Sequence, residues 1–115
     1  MRIGELAKKT GIAASRIRFY EEEGILPSAR REANGYRSYP DGAADAVVFI
    51  ERAQQLGFSL REIASALSDA YARLPTSAAM LASLRTKLKE VDRHLAATRA
   101  VRKKIARFIR ELESC

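Results

Sequence analysis

Residues 3–27 read IGELAKKTGIAASRIRFYEEEGILP, and two short helices with a turn between them account for the stretch. Ile3, Leu6 and Ala7 recur at the i, i+3, i+4 spacing of one helix face. Thr10-Gly11 ends that helix, because glycine is favoured just past a helix C-terminus. A second helix is expected from about Ala13 to Glu23, with Ile17 and Tyr20 on one side and Gly24 closing it. Ile25-Leu26-Pro27 then leaves extended, since the residue before a proline avoids the helical region. Two short helices joined by a glycine-containing turn make a helix-turn-helix candidate.

Working toward the C-terminus, residues 30–39 read RREANGYRSY. Asn34-Gly35 is a strong hairpin signal, because a type I′ turn needs positive φ at both central positions. Tyr36 and Tyr39 give the outgoing arm strand propensity. So short a hairpin has no core of its own, and it must lean on the helices as a wing or remain a free loop. Pro40-Asp41 opens a helix to about Leu56, with Val47, Ile50, Ala53 and Gln54 at helical spacing and Gly57 stopping it. Ser59 and Glu62 form a capping-box pattern for a further helix, with Ile63, Ala66 and Leu67 inward, fading near Ala72. Leu74-Pro75-Thr76 is a break, and Ser77 is placed to cap the next helix.

From Ser77 to Glu113 there is neither proline nor glycine. Leu81, Leu84, Leu88, Val91, Leu95 and Thr98 alternate steps of three and four, which is a heptad seam. It resumes as Val101, Ile105, Phe108 and Leu112 after a step of three that shifts its phase. Such a helix is about 55 Å long, and a small head cannot bury so long and narrow a stripe. Pairing with a second chain as a two-stranded coiled coil is therefore expected; a hairpin folding back on itself would need turn residues that the stretch lacks.

Composition bounds the size of the protein and the charge of its partners. The 115 residues allow one domain and a little more, and the net charge of +7 invites a polyanion. Residues 1–40 carry eight Lys/Arg against five Asp/Glu, residues 41–76 three against five, and residues 77–115 ten against four. The basic tail lies on the long helical pattern, where charge ordinarily makes a solvated face. The longest apolar runs, Ala46 to Ile50 and Ala78 to Ala82, are far short of the roughly 20 residues of a membrane span. A single cysteine, Cys115, excludes an internal disulfide framework, and the expected compartment is the cytoplasm.

No constellation for catalysis is visible. The one histidine, His94, lies mid-coil, and no nucleophile set, phosphate loop or metal-ligand spacing occurs. The run Glu21-Glu22-Glu23 is expected to be a solvated face, part of it pairing with nearby arginines. No cofactor is expected. DNA binding has a physical basis instead: a helix in the major groove presents donors to base edges near its N-terminal half and cations or hydroxyls to phosphates further along. Ser15 and Arg16 occupy the first turns of the second helix, with Arg18 and Tyr20 beyond them. Arginine can fork to guanine O6 and N7, and Tyr20 can offer its hydroxyl to a phosphate while its ring packs below. Arg30, Arg31 and Arg37 extend the basic set onto the hairpin.

Ile3-Gly4-Glu5-Leu6-Ala7, Thr10-Gly11-Ile12, Ile17-Arg18-Phe19-Tyr20-Glu21 and Gly24-Ile25-Leu26-Pro27 closely resemble the MerR family of bacterial transcription regulators. Asn34 to Tyr39 looks like its first wing, and Phe49-Ile50 with Gln55 to Ile63 like the helix pair after that wing. The resemblance implies a mainly α fold: a winged helix-turn-helix head with a small β-hairpin wing, then a long antiparallel dimerisation helix. The head is residues 1–74 (helix-turn-helix 3–23, wing 30–39, helix pair 41–72), the coil is 77–113, and 114–115 are the end. It also implies a homodimer on a pseudo-palindromic site in double-stranded promoter DNA, bending and untwisting it to realign promoter elements for RNA polymerase. Arg18 and Tyr20 would hold phosphates, and Tyr36, Arg37 and Tyr39 would be the wing's contacts. Arg16 departs from the small residue often found there, and Ala13 stands where a serine often caps, a loss of about 1 kcal/mol unless Thr10 compensates.

Metal-sensing relatives place a cysteine near the start of the dimerisation helix and more in a loop after it. Here the start reads Pro75-Thr76-Ser77-Ala78, and the chain stops at Glu113-Ser114-Cys115, where that loop would begin. Cys115 thus resembles the first ligand of a site whose other ligands are missing; a redox role or an inert end are the alternatives. Two other classes share these residues: a constitutive DNA-bending architectural protein without effector, and a coiled-coil interaction module.

Overall fold

The computed structural model describes residues 1–27, 29–67 and 74–115. Contacts divide them between two units, Met1–Thr76 and Ser77–Cys115. In the first unit the order is α1 (Ile3–Thr10), α2 (Ala14–Glu22), β1 (Arg30–Arg31), β2 (Arg37–Ser38), α3 (Ala43–Gln55) and α4 (Leu60–Ala66). The second is one helix, α5 (Ser77–Glu113), of 37 residues.

Helix α1 packs against α2 and α3, and α3 against α4. Leu6, Ile17 and Tyr20 from the first two helices meet Val47 and Ile50 of α3 with none of their surface exposed. Burying each such aliphatic side chain is worth about 1.5–3 kcal/mol. The helix ends follow their local chemistry. After α2, the Gly24 amide donates to Glu21 O and the Ile25 amide to Tyr20 O, a Schellman closure with Gly24 at φ 76°. A side chain at Gly24 would be strained in that left-handed conformation. Gly57 closes α3 through the same pair of bonds, from Gly57 to Gln54 O and from Phe58 to Ala53 O. At α4 both halves of the capping box form: Glu62 N donates to Ser59 Oγ at 3.1 Å and Ser59 N to Glu62 Oε1 at 2.9 Å.

Two helix boundaries differ from expectation. Helix α3 starts at Ala43, two residues after Asp41, with Gly42 before it. Helix α4 ends at Ala66, and Leu67 is already extended at ψ 121°. Its Ser65 hydroxyl donates to Arg61 O, a bond that competes with regular helix. The rest of the span toward Ala72 lies outside the described residues.

The wing turn also differs from the type I′ form. β1 and β2 are antiparallel with Arg30 opposite Ser38 and Arg31 opposite Arg37. Glu32 N donates to Tyr36 O and Gly35 N to Glu32 O, which encloses a three-residue loop with Gly35 left-handed at φ 85°. That is the pattern of a turn followed by a bulge, in which only the glycine must be left-handed. The Asn34 side chain finds its own use, accepting from Tyr36 N at 3.1 Å. Thr10 does not supply the missing cap of α2: its hydroxyl donates to Leu6 O at 2.8 Å and accepts from Ile12 N at 3.2 Å. Ala13 leaves α2 without a side-chain cap.

Helix α5, taken alone, buries none of its residues. Leu81, Leu84, Leu88, Val91, Leu95, Val101, Ile105, Phe108 and Leu112 are all 44–61% exposed, so the heptad stripe forms as an open apolar surface.

Candidate nucleic-acid interface

The solvent side of α2 and the wing is where arginines gather. Ser15, Arg16 and Arg18 are exposed along α2, and Arg30, Arg31, Tyr36 and Arg37 along the hairpin. Between these elements lies a cleft of about 350 Å³ lined by Arg18, Arg31, Arg37, Glu21, Glu22 and Ala29. The three guanidinium groups outnumber the carboxylates of Glu21 and Glu22 in this lining by one, and guanidinium groups bind phosphate through charge-assisted hydrogen bonds.

One carboxylate sets the angle between α2 and the wing. Glu21 Oε1 accepts from Ala29 N at 2.6 Å, while Oε2 accepts from the Tyr39 hydroxyl at 2.9 Å and lies 3.7 Å from Arg37 Nη1. Its side chain is only 9% exposed. The expected solvated face is therefore wrong for Glu21 and right for Glu22 and Glu23, which are exposed; the pairing with an arginine is present. Burial, followed by the bond to Glu21, pushes the Tyr39 hydroxyl up to about 12.

Both tyrosines expected at DNA sit in the core instead. Tyr20 is fully buried and Tyr39 2% exposed. The Tyr20 hydroxyl contacts the Glu51 carboxylate and lies 2.8 Å from Gln54 Oε1, both on α3. Its pKa is raised, first by burial and then by the bond to Glu51. The physical reason is packing: these large rings sit where α2, α3 and the wing converge, and their hydroxyls take the acceptors that burial requires. Neither side chain is presented to solvent. Tyr36 is the wing's exposed ring, with the Arg2 guanidinium 4.1 Å above its centroid. Arg2 also reaches Glu32 at 3.9 Å, so it braces the hairpin on both arms. The backbones of Met1 and Tyr39 add two bonds, of 2.7 and 2.8 Å.

Arg16 is exposed yet tethered. Its Nε donates toward Glu51 Oε2 at 2.8 Å and Tyr20 Oη at 3.0 Å, and its Nη2 toward Gln54 Oε1 at 3.4 Å. Sequence reasoning missed Arg2, Glu51 and Gln54 because each acts on an element remote in the chain. The only local hint was the helical spacing of Gln54 on α3.

Among the described residues no three His, Cys, Asp or Glu side chains gather into a group that could hold a metal ion. Cys115 is exposed, its thiol 3.2 Å from Glu111 O. No helix among the described residues is long and apolar enough to cross a membrane.

Comparison with known proteins adds the family to this geometry. Residues 1–70 match the family described as MerR HTH family regulatory protein, and residues 45–108 match the one described as MerR, DNA binding. The chain belongs to the MerR family. It is a MerR-type DNA-binding transcription regulator, and regulators of this type are not enzymes. It is 34% identical over 109 residues to the HTH-type transcriptional regulator CueR of Vibrio cholerae, covering 95% of this chain and 78% of that one. The mercuric resistance operon regulatory protein of Bacillus cereus is 48% identical over 62 residues, which are 54% of this chain; the match spans 47% of the Bacillus protein, about half its length. Two MerR-type crystal structures share the architecture. One is the lead(II) complex of PbrR691 from Ralstonia metallidurans (TM-score 0.55, 30% identity, 99% of this chain and 84% of that one). The other is HiNmlR, a MerR regulator lacking the sensor domain, bound to promoter DNA (TM-score 0.59, 26% identity, 86% of this chain and 75% of that one).

Proposed function

We propose that this MerR-type regulator works in the cytoplasm as a homodimer on a pseudo-palindromic site in double-stranded promoter DNA. The observation that carries the reading is the arginine-lined cleft between α2 and the wing, in a family whose member HiNmlR is known bound to promoter DNA. Ser15 and Arg16 meet base edges, Arg18, Arg31 and Arg37 hold phosphates across the cleft, and Arg30 with Tyr36 extends the wing's reach. Tyr20 and Tyr39 hold α2 and the wing at the angle this requires.

The apolar stripe of α5, half-exposed along its length, joins two chains through Leu81, Leu84, Leu88, Val91, Leu95, Val101, Ile105, Phe108 and Leu112. Two heads fixed to one coil engage two half-sites, and bending the intervening DNA costs about 1–6 kcal/mol. RNA polymerase is then affected indirectly, through the promoter both proteins share. Cys115, exposed and able to be oxidised, is where a thiol signal would enter.

Footprinting the purified protein on the DNA upstream of its own gene and neighbouring genes tests the reading, with reductant and with oxidant. Protection of a pseudo-palindrome between promoter elements, with a hypersensitive centre, is expected. A centre that changes with oxidant assigns the signal to Cys115, and an unchanged one removes the thiol from the scheme. Diffuse protection that vanishes with salt overturns sequence-specific regulation in favour of architectural binding.

A further inference from the structure

We propose that Glu51 on α3 is a positioning residue for base readout: it holds the Arg16 guanidinium so that its outer edge reads one guanine in each half-site. The inference rests on the DNA-binding reading above and adds to it a residue from outside the helix-turn-helix.

The geometry is specific. Arg16 stands in the first turn of α2, where a major-groove helix addresses base edges. Its Nε is taken by Glu51 Oε2 at 2.8 Å and Tyr20 Oη at 3.0 Å. Gln54 touches only Nη2, at 3.4 Å, and among the described residues nothing engages Nη1. Each terminal nitrogen therefore keeps an N–H outside these bonds, and two such donors side by side are the pattern that guanine O6 and N7 accept. A free arginine loses much rotamer freedom on docking; here Glu51, Tyr20 and Gln54 restrict it beforehand.

Glu51 also separates guanine from phosphate as the target. At 2.8 Å the Glu51 carboxylate offsets the Arg16 charge more fully than Glu21, 3.7 Å away, offsets that of Arg37, which weakens the attraction of Arg16 to a phosphate. The directional bonds to a base edge are kept. Beside DNA the carboxylate itself repels phosphates, so its presence favours discrimination over bare affinity.

The test uses the full chain. Wild type is selected against a library of randomised duplexes, and affinity is then measured for the selected duplex, its single-base variants and an unrelated duplex. Arg16→Ala, Glu51→Gln and the double variant are compared, with thermal unfolding recorded for each. Wild type is expected to prefer guanine at one position of each half-site by roughly 5–150-fold. Arg16→Ala removes that preference and leaves the other positions intact. Glu51→Gln removes most of it too, while affinity for the unrelated duplex rises, and adds nothing to preference in the Arg16→Ala background. A merely structural role would lower binding to every duplex alike. Where Glu51→Gln fails to fold, Glu51→Asp keeps the charge and is expected to retain part of the preference.

Full guanine preference in Glu51→Gln, or a uniform loss across all duplexes in Arg16→Ala, overturns the inference while the regulator stands. Wild type that selects no sequence at all defeats the regulator reading itself.

Discussion

The two units of the chain satisfy their apolar residues in opposite ways. In the head, Leu6, Ile17, Tyr20, Val47 and Ile50 are fully buried by neighbours from the same chain. In α5 not one residue is buried, and Leu88, Phe108 and Leu112 each remain 61% exposed. Short helices with wide apolar faces can close around one another within about 65 residues, whereas a narrow stripe on one straight helix needs a surface of equal length. The head's stability is thus a property of one chain, and that of the helix depends on what lies along its seam.

The largest effect should come from breaking the helix alone. On the proposed dimer, Leu88→Asp would remove an apolar contact twice and place charges in the seam, weakening association by roughly 100-fold or more. Sedimentation should show monomer, with the head's cooperative unfolding retained. A head that unfolds along with the dimer would break the contrast between the units.

Within the head, Glu21→Ala should cost about 2–4 kcal/mol in urea unfolding, because the Tyr39 hydroxyl and the Ala29 amide lose their acceptor. Faster amide exchange is expected in the wing and not in α4.

Burial of the Tyr39 hydroxyl, with its bond to Glu21 second, makes a pH prediction. Tyr39 titrates at about 12 when folded, against about 10 for an ordinary tyrosine. Between those values the unfolded chain has lost the proton that the folded chain still holds, so stability falls as pH rises. The contribution is intact below about 10 and gone above about 12, a change on the order of 2 kcal/mol. Absorbance of tyrosinate should show this late step, and Tyr39→Phe should reduce it, leaving the part that buried Tyr20 contributes.

Ser59→Ala is the mildest change, about 1 kcal/mol from the lost capping box. Urea unfolding should register it in the head, with sedimentation of the dimer unaltered. An altered dimer would mean that the two units are energetically coupled.

Much of this was legible in advance because it is local. Gly24 and Gly57 at helix ends, the Ser59–Glu62 box, the hairpin around Gly35 and the unbroken run from Ser77 to Glu113 each depend on residues a few positions apart. The arginines of α2 and the wing were legible as a basic set, since charge needs no partner to be counted. The burial of the Tyr20 and Tyr39 hydroxyls was not legible for the complementary reason. An aromatic hydroxyl suits a phosphate or a buried carboxylate equally well, and the carboxylates lie 31 and 18 residues away at Glu51 and Glu21.

Periodicity, turn chemistry and charge therefore specified the elements, their order and the basic character of one face, because those properties are set by short stretches of chain. Packing alone decided which polar groups meet: Glu21 binding the wing to α2, Arg2 over Tyr36, and Arg16 clasped by Glu51 and Tyr20. Such pairs join elements whose approach depends on the whole core, and a hydrogen bond acts only over the last few ångströms of that approach.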